Sequence, residues 1–230
     1  MPKDIQITDN SKASLNVESE TLIPIQQYSS AMKLQRSANC YFQKFIKFPR
    51  IAIFHSYAEY LHAALLEANP LITSFVPQPF RLLVQNRRYI PDCYFVYKSK
   101  RYVVELKPRG KFDKKLRKPL KKYFRQHGYN FKVVSNELVR RNEVLALNWH
   151  QIVKALLSAE MICTENAELK ILDELSIKGP MELGRIIKVG NRLDDYKNEI
   201  GVYRLAHKGL VKMELDYSKI NYSSLVELCI

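Results

Sequence analysis

The chain has 230 residues and a formal net charge of +14, with 37 Lys and Arg against 23 Asp and Glu. Hydrophobic residues make up 47% and charged residues 26%, a globular balance that excludes disorder along the whole length and suits one large domain or two small ones. No apolar run reaches the roughly 18 residues a membrane-spanning helix needs, and the polar start from Met1 to Asn10 carries no secretory apolar segment, so a cytosolic chain without membrane partners is expected.

Residues 1–30 are rich in Asn, Ser, Thr and Gln and read as a polar arm. Residues 41–54 mix apolar and basic side chains, in the manner of strand and loop. Residues 56–68 predict a helix. Ser56 is a good N-cap, Glu59 stands at the capping-box spacing, and Leu61, Leu65 and Leu66 recur at helical intervals before Asn69-Pro70 ends the run. Three strand-like runs follow, over 80–85, 89–97 and 101–106, rich in Val, Ile, Tyr and Phe. The short turn Lys98-Ser99-Lys100 joins the last two as an antiparallel hairpin. Residues 111–127 predict a basic helix stopped by Gly128, with Pro119 expected to kink or split it. Residues 131–135 suit a strand, 136–141 a turn and 144–158 a helix. Composition shifts near Thr164. Beyond it, 168–177, 181–188 and 193–207 predict three helices and 211–215 a strand, which suggests a helix-turn-helix or winged-helix module. The division that follows is an arm over 1–30, an α/β domain over 31–142 and a small helical or winged-helix domain over 143–230.

The charge is uneven. Residues 1–164 hold 27 basic and 12 acidic side chains, whereas 165–230 hold 10 and 11. Between Lys98 and Arg125 there are 13 basic residues against Glu105 and Asp113. Such a stretch is an electrostatic footprint for a polyanion, nucleic acid first. A solvated, Lys-rich helix is the plainer alternative. Anionic membrane fits less well, because the stretch has only a modest apolar face. The cysteines Cys40, Cys93, Cys163 and Cys229 are far apart and form no Cys-x-x-Cys pair, so neither a disulfide framework nor a structural zinc site is expected.

The chemistry concentrates in Tyr89-Ile-Pro-Asp92 and Glu105-Leu-Lys107. Side chains two apart on a strand share a face, so Glu105 and Lys107 point one way and Val104 and Leu106 the other, into the core. Pairing across the hairpin puts Asp92 opposite Glu105 or one place from it. Carboxylates that close repel. A hard divalent cation removes the repulsion, and Mg²⁺, with Mn²⁺ as a substitute, takes one or two carboxylates plus waters and phosphate. Lys107 beside them can orient or deprotonate a water, or stabilise charge on phosphate. Glu59 offers a third carboxylate. The alternative is that Glu105 and Lys107 form an ordinary ion pair on an edge strand. The order of helix Glu, Pro-Asp hairpin, Glu-x-Lys and basic helix is that of the PD-(D/E)xK nucleases, whose chemistry is metal-assisted phosphodiester hydrolysis.

Four stretches carry a narrower resemblance: Phe54-His-Ser-Tyr-Ala-Glu59, Val76-Pro-Gln-Pro-Phe80, Tyr89-Ile-Pro-Asp92 and Val104-Glu-Leu-Lys-Pro108. Together they resemble TnsA, the endonuclease subunit of heteromeric cut-and-paste transposases. The match runs over about 41–135; from about 145 onward the likeness to the family's helical C-terminal domain is weaker. The resemblance implies a restriction-endonuclease-like α/β core, a mixed central sheet flanked by helices, followed by a small helical or winged-helix domain. It implies Glu59, Asp92 and Glu105 as metal-binding acids and Lys107 as the catalytic lysine. Some TnsA proteins carry Gln where Glu105 stands, so this chain departs toward the general nuclease pattern. Gln78 supports the site, touches DNA or is a plain strand-edge residue. Arg109, Lys111, Lys114, Lys115, Lys118, Lys121 and Lys122 would hold the DNA backbone by contacts blind to sequence. The family further implies double-stranded DNA at transposon ends as substrate, cut on the 5′ strands. Its partners are a DDE transposase subunit, TnsB-like, and an AAA+ regulator, TnsC-like. The near-neutral C-terminal segment suits protein docking better than DNA reading, since its third helix sets Arg192, Lys197, Arg204 and Lys208 against Asp194, Asp195 and Glu199 and lacks a clear basic face.

Two rival readings remain open. One is a stand-alone nuclease of the restriction or repair kind; the other is a non-catalytic winged-helix DNA adaptor. The five histidines show no zinc-ligand spacing, His55 suits a capping or surface role, and Trp149 is expected in the core. No phosphate-cradling Gly-rich loop is present.

Overall fold

In this computed structural model, the residues described are 17–19, 21–28, 39–84, 86–188 and 192–229. They form a mixed α/β structure. The first half contains β1 (Val17–Ser19), β2 (Tyr41–Lys44), β3 (Ile51–Phe54), α1 (Tyr57–Ala68), β4 (Ile72–Pro77), β5 (Leu82–Val84), β6 (Arg87–Tyr89), β7 (Cys93–Tyr97) and β8 (Lys100–Lys107). The second contains α2 (Lys114–Gln126), β9 (Asn130–Ser135), α3 (Asn136–Arg140), α4 (Glu143–Ser158), α5 (Glu165–Lys178), β10 (Met181–Glu182), α6 (Leu183–Ile187), α7 (Arg192–Lys208), β11 (Val211–Met213) and β12 (Leu225–Leu228).

The central sheet has the order β4-β7-β8-β9, with the first three antiparallel and β9 parallel to β8. The β7–β8 turn is only two residues, Lys98 and Ser99, at φ 44° and 62°. Two positive φ values mark the primed turn whose twist matches that of paired strands. This turn sets the register: Tyr97 pairs with Lys100 and Cys93 with Val104, so one step further brings Asp92 opposite Glu105. β8 outruns β7 at that end, and Glu105, Leu106 and Lys107 pair onward with Val133, Val134 and Ser135 of β9. A central strand is covered on both faces, so Val103, Val104, Glu105 and Leu106 are all buried. The core is thus not confined to the Val104 and Leu106 face.

α1 forms as expected, with Ser56 Oγ accepting from Glu59 N at 3.2 Å. α2 begins later than predicted, at Lys114, because the Asp113 side chain caps it by accepting from Lys115 N at 2.8 Å. Pro119 lies inside one continuous helix rather than splitting it. The missing bond of Pro119 costs about 3 kcal/mol, offset by Leu120 and Phe124, both fully buried, with Phe124 stacked on Phe131.

Other predicted boundaries shift for local reasons. The run over 89–97 is two strands, since Pro91 has no N–H and separates β6 from β7. β4 lies in a segment not predicted as a strand. Residues 136–140 are a short helix capped by the Ser135 hydroxyl, not a turn. The predicted helix over 181–188 starts as a strand, β10. Part of the expected arm is built into the fold, for β1 pairs with β5, and β5 with β6. The rest of it, 1–16, 20 and 29–30, lies outside the described residues.

α4 packs on α1: the His150 ring stacks on Tyr60 at 3.7 Å and its Nε2 donates to Tyr60 O at 3.1 Å. α5, α6 and α7 pack with the antiparallel sheet β10-β12-β11. α7 joins this C-terminal part to α1 through His207 Nε2, 2.7 Å from the carboxylate of the fully buried Glu67. The four cysteines are free. No described helix is long and apolar enough to cross a membrane.

Candidate active site

The site gathers where β8 outruns β7. There Leu106 N lacks a β7 partner, and the Asp92 carboxylate takes that bond, with Oδ2 accepting from Leu106 N at 2.6 Å. Glu105, 3% exposed, is held at both oxygens. Lys107 Nζ lies 2.8 Å from Oε1, and the Tyr89 hydroxyl donates to Oε2 at 2.6 Å. Glu105 and Lys107 therefore share a face as the strand period requires. Glu59, in the first turn of α1, accepts from the Ser56 hydroxyl at 2.8 Å, from His55 N at 3.3 Å and from Gln78 Nε2 at 3.4 Å. Glu59 and Asp92 line one cavity of about 10 Å³, about the space of a single water or small ion.

Electrostatics tie these groups together. Burial, then the Glu105 and Glu59 charges, push the Asp92 carboxyl well above the usual carboxylate range, against the pull of Lys107 and Leu106 N–H. Burial also raises Glu105, opposed by Lys107 and Tyr89. For Lys107 burial alone would lower the ammonium, but Glu105 and Asp92 outweigh it and the net shift is upward. In this arrangement Lys107 is a fixed cation, suited to stabilising negative charge more than to taking up a proton.

The donor set fits a hard divalent cation in kind: buried oxygen ligands whose mutual repulsion a cation removes. It does not form a finished centre, for among the described residues no three His, Cys, Asp or Glu side chains are arranged to hold a metal ion. Glu59 is turned back onto the helix start, and Glu105 is engaged by Lys107 and Tyr89.

The predicted DNA contacts divide. Arg109 and Lys111 lie exposed in the turn after Lys107, where Glu137 accepts from Arg109 N at 3.1 Å. Lys114, Lys115, Lys118, Lys121 and Lys122 are all exposed on α2, as are Arg117 and Arg125. Gln78 is not among them. It is 5% exposed, at φ 46°, with its side chain against Glu59. Tyr89 was missed as a site residue; its place beside the Pro-Asp step was the available signal. His62 lies buried on α1 and is pushed down by burial to about 4, a neutral core histidine. Larger cavities, of about 360 and 770 Å³, lie away from the carboxylates.

No protein-family model matches this chain and no curated protein does so either.

Proposed function

We propose that this chain is a metal-dependent DNA endonuclease with a restriction-endonuclease-like core, acting as the TnsA-like subunit of a heteromeric transposase. The observation that carries the reading is the crowding of Asp92 and Glu105, with Lys107 bonded to the latter, at the open end of β8. Asp92 and Glu105 would hold Mg²⁺ or Mn²⁺, with Glu59 beside them. When bound, the cation supplies Lewis-acid polarisation of a phosphodiester. Lys107 presents a positive charge at the same edge, where it stabilises the charge that develops on phosphate. The exposed lysines of α2 follow directly after this edge and suit the backbone of a duplex.

The subunit reading rests on the four sequence stretches that resemble TnsA. The C-terminal helices and three-stranded sheet suit a winged-helix module used for docking to a transposase and an AAA+ regulator. Two of its cations are turned inward: Arg204 donates to Ala159 O, Ile162 O and Thr164 Oγ1, and Lys208 pairs with Glu168.

The test is strand cleavage of supercoiled plasmid carrying the cognate ends, in Mg²⁺, with and without the DDE transposase, for wild type and Asp92→Ala. Cuts on the 5′ strands that need the partner and vanish in the variant are expected. Cleavage by wild type alone favours a stand-alone nuclease. Equal products from wild type and variant would remove the nuclease reading.

A further inference from the structure

The acids are not held by their own strands alone. Gln78 is bonded at all four of its polar groups. Its backbone N–H donates to Asp92 O at 2.9 Å and its side-chain Nε2 to Glu59 Oε2 at 3.4 Å. Its carbonyl accepts from Tyr28 N at 3.0 Å and its Oε1 from Gln27 Nε2 at 3.2 Å. Two bonds thus go to site acids, and two to the segment before β2. Gln78 sits between Pro77 and Pro79 at φ 46°, a left-handed conformation that non-glycine residues adopt only when their surroundings hold them there.

The segment itself is anchored. Gln27 grips Ile53 at both backbone groups, with Oε1 accepting from Ile53 N at 3.0 Å and Nε2 donating to Ile53 O. Arg81 lies over the Tyr28 ring at 4.9 Å. Tyr129 donates to Leu22 O at 2.6 Å and Tyr123 to Ser19 Oγ at 2.8 Å. Upstream, β1 pairs with β5, and β5 with β6, whose Tyr89 holds Glu105. Residues 17–19 and 21–28 therefore brace the residues that touch Glu59, Asp92 and Glu105.

We infer that this segment is a positioning strap, and that Gln27, acting through Gln78, sets the Glu59 carboxylate and the backbone that carries Asp92 for metal binding. The inference rests on the metal-site reading above. Outer partners of metal-binding carboxylates carry about 10–100-fold in metal affinity. Gln27 touches neither acid, so its effect runs through Gln78.

The experiment is a Mn²⁺ titration of the full chain, read by the spin-resonance signal of the free ion, for wild type, Gln27→Ala, Gln27→Met and Asp92→Ala. Thermal midpoints and affinity for a short duplex without metal are measured alongside. Gln27→Met keeps the volume and loses every bond, so it decides if the alanine variant fails to fold. Both Gln27 variants should weaken Mn²⁺ binding about tenfold and leave duplex affinity unchanged, while the midpoint falls modestly because Ile53 N–H and C=O lose their partner. Wild-type Mn²⁺ affinity in the Gln27 variants, with binding lost in Asp92→Ala, would overturn the strap alone. Weakened affinity only in a variant whose midpoint falls to the temperature of the titration would reduce Gln27 to a structural role and also overturn it. Equal binding by wild type and Asp92→Ala would remove the metal site itself, and the strap with it.

Discussion

Tyr89 and Lys107 divide the two oxygens of Glu105 between them. The lysine is half-exposed and can turn toward a phosphate; the tyrosine is partly buried, with its hydroxyl committed to Glu105. Their parts should therefore separate on mutation. Tyr89→Phe keeps the ring and removes one donor from a buried carboxylate. Stability should fall by about 1–3 kcal/mol, and plasmid cleavage in Mg²⁺ by about tenfold. Denaturant unfolding and initial cleavage rates check both numbers. Cleavage equal to wild type would mean that Lys107 alone orients Glu105. Asp92 gains its place differently, by accepting Leu106 N where the ladder ends.

At the scale of elements, α1 carries Glu59 at its start and is held along its length by α4. His150 of α4 is pushed down from 6.5 to about 4, first by burial and then by Lys154, against the bond to Tyr60 O. Its Nδ1 is buried and has no hydrogen-bond partner among the described residues. The unfolded chain takes up the proton near 6.5 and the folded chain only near 4. This contribution to stability is present above pH 6.5 and is lost as pH falls toward 4, by about 3 kcal/mol at most. Denaturant midpoints of wild type at pH 7, 5.5 and 4.5 should drop accordingly, and His150→Phe should flatten the slope. An equal slope in the variant would place the acid sensitivity elsewhere. Such contacts also mark what the sequence could not announce. α1 was legible because its cap and its leucine spacing are local. The hairpin of β7 and β8 was legible because one tight turn sets its register, and with it the Asp92, Glu105 and Lys107 cluster. β1 and the grip of Gln27 on Ile53 were not, because their partners lie far along the chain and no short-range pattern encodes them. Tyr89 becomes a site residue only where β6 meets β8, and of the three roles the sequence left open for Gln78 the bond to Glu59 fits support of the site.

Across the whole molecule, charge and burial separate two surfaces. The C-terminal part is close to neutral, and its α7 turns inward, with Ile200, Val202 and Leu205 almost wholly buried. The α/β part carries the excess, and α2 presents it in rows, with Lys114, Lys118 and Lys121 at helical spacing on an exposed face that flanks the one buried through Leu120 and Phe124. If this helix lies along a duplex, each lysine that meets a phosphate releases a counterion and adds about 0.9 to the slope of log affinity against log salt. Replacing Lys114, Lys118 and Lys121 together by Ala should therefore reduce that slope by about 2 to 3, measured by anisotropy of a labelled duplex across a NaCl series. Alanine is the best helix former, so α2 should persist. Lys170→Ala with Lys212→Ala, on the C-terminal part, should leave the slope unchanged. An unchanged slope in the α2 variant would make the basic helix a solvated face and move the nucleic-acid footprint off the side of the molecule that holds the carboxylates.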